Sequence, residues 1–64
     1  MKVRDVLKVL EEDGWFVVRT RGSHRVMKHN VKQGIVVVPG HMSDEIALGT
    51  LKSIRDQAQL RGKL

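Results

Sequence analysis

Three histidines and five basic residues share one stretch of the chain that contains no acid. The histidines are His24, His29 and His41, and the stretch runs from residue 14 to residue 43. Its cations are Arg19, Arg21, Arg25, Lys28 and Lys32. An imidazole can accept or donate a proton near neutral pH, and nearby cations can hold a phosphodiester and its developing charge. This segregation of charge predicts a polyanionic partner, with nucleic acid as the first choice.

His24 is the histidine best placed for such chemistry. It follows the predicted turn Thr20–Ser23 and opens a stretch with the two-residue period of a strand. If Met27 faces the core, this period turns His24, Val26 and Lys28 to the opposite face of the strand. On that uncovered face His24 can act as a base, because nearby cations favour the neutral imidazole. The cations expected to gather around it are Arg19, Arg21 and Lys28.

Other interpretations of these residues remain open. A lone exposed histidine such as His24 is most often an ordinary surface residue. His24 and His29 are five positions apart, so they fall on opposite faces of a strand and cannot bind one metal ion there. Ser23 is adjacent to His24 and points to the other face, which disfavours a serine–histidine pair. Trp15 and Phe16 could stack on bases, but strand aromatics next to a helix end are more often core residues.

Two helices are predicted to flank the strands. The first ends at Gly14, a residue that accepts the left-handed conformation, and its apolar stripe consists of Val3, Val6, Leu7 and Leu10. The second begins between residues 44 and 50, with Ser43 as the candidate N-cap. Its apolar face consists of Ile46, Leu51, Ile54 and Ala58. Each helix has a single apolar stripe, so each needs a sheet to cover.

Three strands are predicted between these helices, at Trp15–Arg19, His24–His29 and Ile35–Val38. The unbroken apolar run of the third indicates a strand that is central in the sheet or buried on both faces. Gly22 is the expected positive-φ residue of the first turn. The order predicts an α+β fold, in which a three-stranded antiparallel sheet carries both helices on one face. The other face would be open to solvent or to a partner.

Length and composition narrow the possible classes of protein. A chain of 64 residues forms one domain, 1–64, which is too small for two lobes around a deep cofactor cleft. The absence of cysteine excludes disulfides, thiolate zinc sites and iron–sulfur ligation. Apolar runs such as Ile35–Val38 are far too short to span a membrane. We therefore expect a cytoplasmic protein with no metal, no small-molecule cofactor and no membrane contact.

Several short motifs, in this order and spacing, resemble the HicA family. They are Gly14-Trp15, Arg19, Gly22-Ser23-His24, Lys28-His29, Val36-Val37-Val38-Pro39, Gly49-Thr50-Leu51-Lys52-Ser53-Ile54 and Gln57-Ala58. The resemblance extends from the first helix to about Leu60. It implies an α-β-β-β-α fold of the double-stranded-RNA-binding-domain type. It also implies the toxin of a type II toxin–antitoxin system.

The resemblance further implies an activity and a partner. HicA toxins are endoribonucleases that cleave mRNA and need the histidine of the Gly-Ser-His motif, which corresponds to His24. A HicB antitoxin binds and inhibits them. RNA contacts are then expected at Arg19, Arg21, Gly22, Ser23, Arg25 and Lys28. The chain departs from the family at Arg25 and Met27, where many members have a second histidine and an aromatic residue.

Two alternatives to a ribonuclease remain. A non-catalytic RNA- or DNA-binding module of the same fold would use the same basic face without histidine chemistry. A protein-interaction domain would use its open sheet face only for a partner, and it would have no salt-dependent affinity for nucleic acid. Whether RNA is cut, only bound or ignored distinguishes the three. For cleavage, the 2′-hydroxyl of RNA supplies the nucleophile, so general acid–base chemistry needs no metal.

Overall fold

The computed structural model of the chain describes residues 1–60, 62 and 64. Its elements are helix α1 (Val3–Asp13), strands β1 (Phe16–Arg21), β2 (His24–Lys28) and β3 (Val36–Val38), and helix α2 (Leu48–Ala58). The strands form one antiparallel sheet in the order β1-β2-β3, with β2 in the centre. The predicted α+β class and the α-β-β-β-α order are therefore confirmed.

A single apolar core joins the two helices to one face of the sheet. Met27 contributes from β2, and Val36 and Val38 contribute from β3. Trp15, which follows α1, is buried in the same core. The helices contribute the predicted apolar stripe of α1 together with Ile54 and Ala58 of α2. The covered face of the sheet is thus the face of Met27, as the two-residue period predicts.

Helix α2 begins at Leu48, inside the predicted interval but without the predicted cap. Its N-cap residue is Ala47, which makes no side-chain hydrogen bond to the helix. Ser43 lies outside the helix because the segment that follows it pairs with the beginning of α1. The N–H of Val3 donates to the carbonyl oxygen of Asp44 over 2.9 Å. This bond satisfies one of the free donors in the first turn of α1. Because α2 begins at Leu48 with Ala47 as its N-cap, the prediction of a Ser43 cap is wrong.

Strand β3 lies at an edge of the sheet, which corrects the prediction of a central or doubly buried strand. Its neighbour is β2 alone. Val36 and Val38 are buried under the helices, whereas Val37 faces the other side and is only half-buried. Val37 is paired with Val26 of β2. The apolar run of β3 therefore combines two core residues with one partly exposed residue.

The pairing of β1 with β2 changes register at Val18. His24 lies opposite Arg21, and Val26 lies opposite Arg19, whereas beyond the bulge Lys28 lies opposite Phe16. Residues directly opposite each other share a face of the sheet. The bulge therefore brings Phe16 and Arg19 to the same face, although they are three positions apart. We call this side, away from the helices, the open face.

Strand β1 is not covered by the helices. All six of its residues are exposed. Val17 is 43% exposed although its cross-strand partner Met27 is completely buried. Phe16 and Val18 are similarly exposed, at 42% and 47%. The helices therefore cover β2 and β3 and leave β1 accessible on both of its faces.

Candidate functional site

A two-residue turn places His24 at the first position of β2. Gly22 has a φ of +58°, whereas the φ of Ser23 is not positive. A positive φ at the first position alone is typical of a type II′ hairpin turn, which favours glycine there. A Cβ added at Gly22 would meet nothing within 4 Å, so the requirement for glycine comes from the backbone and not from crowding. The turn is shorter than predicted, because Thr20 and Arg21 belong to β1.

The side chain of His24 is exposed on the open face. Within residues 1–60 it has no hydrogen-bond or ion-pair partner. Arg21 lies directly opposite His24 across the hairpin, and Arg19 follows two positions along the same face of β1. Both ring nitrogens of His24 are therefore available to a ligand that approaches between these arginines.

Lys28 lies at the other end of the open face. It is four residues from His24 along β2, a distance of about 13 Å at the rise of a strand. Its cross-strand partner is Phe16, whose ring is exposed. The hairpin thus brings Arg19 and Arg21 beside His24, while Lys28 forms a second basic position next to an aromatic ring. Trp15, the other aromatic candidate, is only 1% exposed and belongs to the core.

Arg25 does not stand with the cations of the open face. It lies on the covered side of β2, opposite Thr20 of β1 and Val38 of β3. Its Nη1 donates to the carbonyl oxygen of Gly40 over 2.8 Å and to that of Ser23 over 3.3 Å. Sequence reasoning grouped Arg25 with the RNA contacts on charge alone, although the alternation of β2 already placed it on the side of Met27.

His29 is held by the protein on both ring nitrogens. Its Nδ1 accepts the backbone N–H groups of Val31 and Lys32, each at 3.0 Å. Nε2 lies 2.7 Å from the carbonyl oxygen of Asp13, so the hydrogen resides on Nε2. The ring also packs edge-on against Trp15, with the centroids 5.2 Å apart. His29 is therefore a structural residue that joins the end of β2 to the end of α1.

Lys32 connects the loop between β2 and β3 to the ends of both helices. Its Nζ donates to Asp13 Oδ2 over 2.6 Å. It also donates to the carbonyl oxygens of Ala58 and Gln59, each over 3.1 Å. An ammonium group has three N–H donors, and all three are used here. In the sequence Lys32 is one of the cations of the acid-free stretch, and nothing in its local pattern indicates these long-range partners.

The third histidine, His41, is exposed in the loop after β3. Its backbone N–H donates to Asp44 Oδ2 over 3.0 Å. Across the described part of the chain, no three histidine or carboxylate side chains come together in a group that could hold a metal ion. No helix of that part is long and apolar enough to span a bilayer.

The surface around His24 is open and not a pocket. Two cavities, of about 500 and 140 Å³, are lined by other parts of the chain. The larger lies at the C-terminal end of α2 and the smaller lies between α1 and the N-terminal end of α2. Neither is lined by His24 or by a cation of the open face. His24 itself is exposed, so a ligand can reach it directly from solvent.

The fold and this surface define the class of the protein as a small α+β domain with a basic, exposed sheet face. Residues 3–60 match the family model described as the HicA toxin of bacterial toxin–antitoxin systems. The chain therefore belongs to the HicA toxin family, and the resemblance stated above is confirmed. Membership makes the chain a toxin, and it implies a cognate antitoxin as partner. None of the curated proteins compared with the chain matches it.

Proposed function

We propose that the chain is an endoribonuclease that cleaves mRNA and that His24 performs one of its proton transfers. The observation that supports this most is the position of His24. It is the exposed imidazole of the Gly22–Ser23 hairpin, with Arg21 opposite and Arg19 on the same face. Membership of the HicA toxin family also supports this proposal, because a toxin acts on a target.

In the proposed reaction the 2′-oxygen of a ribose attacks the adjacent phosphorus and the bond from phosphorus to the 5′-oxygen breaks. A 2′,3′-cyclic phosphate and a 5′-hydroxyl result. One proton leaves the 2′-hydroxyl and one reaches the leaving 5′-oxygen, and His24 carries one of these two transfers. Arg21 and Arg19 stabilise the negative charge that develops on the phosphoryl oxygens. No metal enters these steps.

The remaining contacts with RNA follow the open face. Gly22 and Ser23 shape the turn at which the strand of RNA approaches His24. Lys28 binds a phosphate farther along, and the exposed ring of Phe16 beside it offers a surface for a base to stack on. The inhibitor in this proposal is a HicB antitoxin, which a basic face attracts when the antitoxin is acidic.

The test is a cleavage assay on an mRNA with chelator present throughout. We expect His24→Ala to reduce the cleavage rate by roughly 10²- to 10⁴-fold, the usual contribution of a general acid or base. Its melting temperature should stay at the wild-type value, because the side chain of His24 makes no hydrogen bond or ion pair with the described residues. The matched control is His41→Ala, which removes another exposed histidine and should cleave normally. Cleavage by His24→Ala at the wild-type rate would refute the assignment.

One observation favours a second candidate, a non-catalytic RNA-binding module. Catalytic bases are usually oriented by a second group, and no described residue donates to or accepts from the imidazole of His24. In that case wild type and His24→Ala would bind RNA with similar affinity, and neither would cleave it. Binding measured by fluorescence anisotropy beside the cleavage assay separates the two functions.

A further inference from the structure

We propose that the protein partner of this chain adds an acidic strand to the free edge of β1, along Phe16–Arg21. The partner is the antitoxin that family membership implies, and the inference rests on the proposed function only for its account of inhibition. β1 is an edge strand of the sheet. Its outer edge offers backbone N–H and C=O groups to which another strand can bond. Its two faces are also uncovered, since every residue of β1 is exposed.

The side chains of β1 indicate an occupant that contacts both faces of the strand. Phe16 lies on the open face and Val17 on the covered side, and each is more than 40% exposed. An added strand would continue the sheet and place its own side chains beside both residues at once. RNA bound across the open face would leave Val17 uncovered, and it has no peptide groups with which to continue the ladder. A protein strand therefore fits this edge better than a nucleic acid does.

Charge indicates that this strand is acidic. Arg19 and Arg21 belong to β1, and no acid occurs between residues 14 and 43. A second copy of the chain is disfavoured at this edge, because two β1 strands would bring together two arginines from each copy. A partner strand with glutamate or aspartate at alternate positions would pair with both arginines and leave its other positions for apolar contacts.

This mode of binding inhibits without requiring contact to His24. Neighbouring strands are about 4.8 Å apart, so an added strand lies about twice that distance from β2. Its acidic side chains would neutralise Arg19 and Arg21, which the proposed reaction uses to hold the phosphate. Partner binding should therefore survive His24→Ala and weaken in Arg19→Glu.

The probe is a synthetic capped hexapeptide of alternating glutamate and valine, added to the ¹⁵N-labelled protein. We expect its largest amide shifts at Phe16–Arg21 and at least tenfold slower hydrogen exchange for the outer amides of β1. Two matched peptides serve as controls, one with lysine in place of glutamate and one N-methylated at alternate residues. Both should bind at least tenfold more weakly. Arg19→Glu should weaken binding of the acidic peptide by a similar factor, whereas Arg4→Glu on α1 should leave this binding unchanged.

Three results would overturn this proposal. Shifts confined to the helices, or no shifts at millimolar peptide, would show that β1 does not accept a strand. Equal binding of the N-methylated peptide would show that the backbone edge is not used. Shifts at β1 that depend on protein concentration without peptide would assign the edge to self-association. None of these readouts requires cleavage, so a protein without ribonuclease activity could still pass the test.

Arg25 supports a second inference on separate observations: the geometry assigns it to positioning His24 and not to binding RNA. Its Nη1 holds the carbonyl oxygen of Ser23, the residue immediately before His24, and that of Gly40. Gly40 in turn lies against α1, since a Cβ there would be 3.2 Å from Val3 Cγ2. Arg25 thus anchors the turn that carries His24 to the loop after β3. This inference rests on the proposed function for its catalytic consequence.

The test compares Arg25→Met with Arg21→Met. A positioning residue should lower kcat by at least tenfold and leave KM and the salt dependence of RNA binding unchanged. Loss of a phosphate contact in Arg21→Met should reduce the slope of log K against log salt by about 0.7 for single-stranded RNA. Amide exchange at Ser23 and His24 should accelerate in Arg25→Met alone, and this readout does not depend on activity. A reduced salt slope with unchanged exchange in Arg25→Met would make Arg25 an RNA contact and overturn the inference.

Discussion

His24 and His29 have opposite relations to the rest of the chain. His29 has a partner on each ring nitrogen and a ring contact with Trp15. His24 has none among the described residues and projects from a turn fixed by Gly22. An imidazole whose nitrogens already bond to the backbone has none to offer a substrate. The fold therefore depends less on the candidate reactive histidine than on His29, and activity and stability should respond to different residues.

Gly14 provides the residue-scale test of the structural cluster around His29. Its φ is +107°, and an added Cβ would lie 2.7 Å from His29 Nε2. We expect Gly14→Ala to lower the free energy of unfolding by about 1–3 kcal/mol through backbone strain and crowding. The matched control is Gly49→Ala in α2, where a Cβ meets nothing within 4 Å. It should raise stability by up to about 1 kcal/mol. Thermal unfolding of the two variants checks the opposite signs.

At the scale of elements, local patterns predicted most of the fold. The stripe of α1, the glycine at its end and the hairpin at Gly22 are all read from neighbours in the sequence. The bulge at Val18 has no such signal, because Val17, Val18 and their neighbours suit a regular strand equally well. The start of α2 was also ambiguous. Asp44 is kept out of the helix by a hydrogen bond to the distant residue Val3.

The candidate site could be predicted in its centre and not at its margins. His24 was found from its turn and from the alternation of β2. The local sequence does not indicate what Arg25 and Lys32 bind, since their partners Gly40 and Ala58 lie 15 and 26 positions away. Such contacts depend on how the elements pack, and no local period encodes them. Charge alone therefore does not indicate which cations bind groups of the protein itself.

Lys32 provides the element-scale prediction. We expect Lys32→Met to lower the free energy of unfolding by about 1–3 kcal/mol, because it removes the charged donor that binds Asp13 and the carbonyl oxygens of Ala58 and Gln59. Amide exchange in the last turn of α2 should accelerate as well. The control is Lys52→Met, an exposed lysine on the same helix, which should change stability by less than about 0.5 kcal/mol. Equal effects of the two substitutions would contradict this role.

At the scale of the whole molecule, net charge overstates the basic surface available to a partner. The chain carries +5, and the stretch from residue 14 to 43 accounts for all of it. Two of the five cations of that stretch, Arg25 and Lys32, bind groups of the protein itself. Arg19, Arg21 and Lys28 remain on the open face. The exposed basic surface is thus smaller and more directional than the composition indicates.

The salt dependence of RNA binding should show how many phosphates these three cations neutralise. For single-stranded RNA, log K should fall with log salt with a slope of about −2, or about −0.7 for each neutralised phosphate. Arg21→Ala should reduce the slope to about −1.4. Arg4→Ala, which removes an exposed cation from α1, should leave it unchanged. A slope near −3.5, as expected for five contacts, would mean that Arg25 and Lys32 also bind phosphate.

Because of the bulge at Val18, the β1–β2 hairpin should tolerate insertions and deletions less well than the loop between β2 and β3. Side chains alternate between the two faces along a strand. One residue added or lost between Phe16 and Ser23 would therefore move the side chains of part of the hairpin to the opposite face of the sheet. It would separate Arg19 or Phe16 from the side that His24 occupies. An insertion in the loop around Gln33 would not change which face of the sheet a strand residue occupies. Because the residues of this loop are exposed, the loop can be lengthened at little cost in free energy. Natural insertions compatible with toxin activity should therefore collect in that loop, and the interval from Trp15 to His24 should keep a constant length.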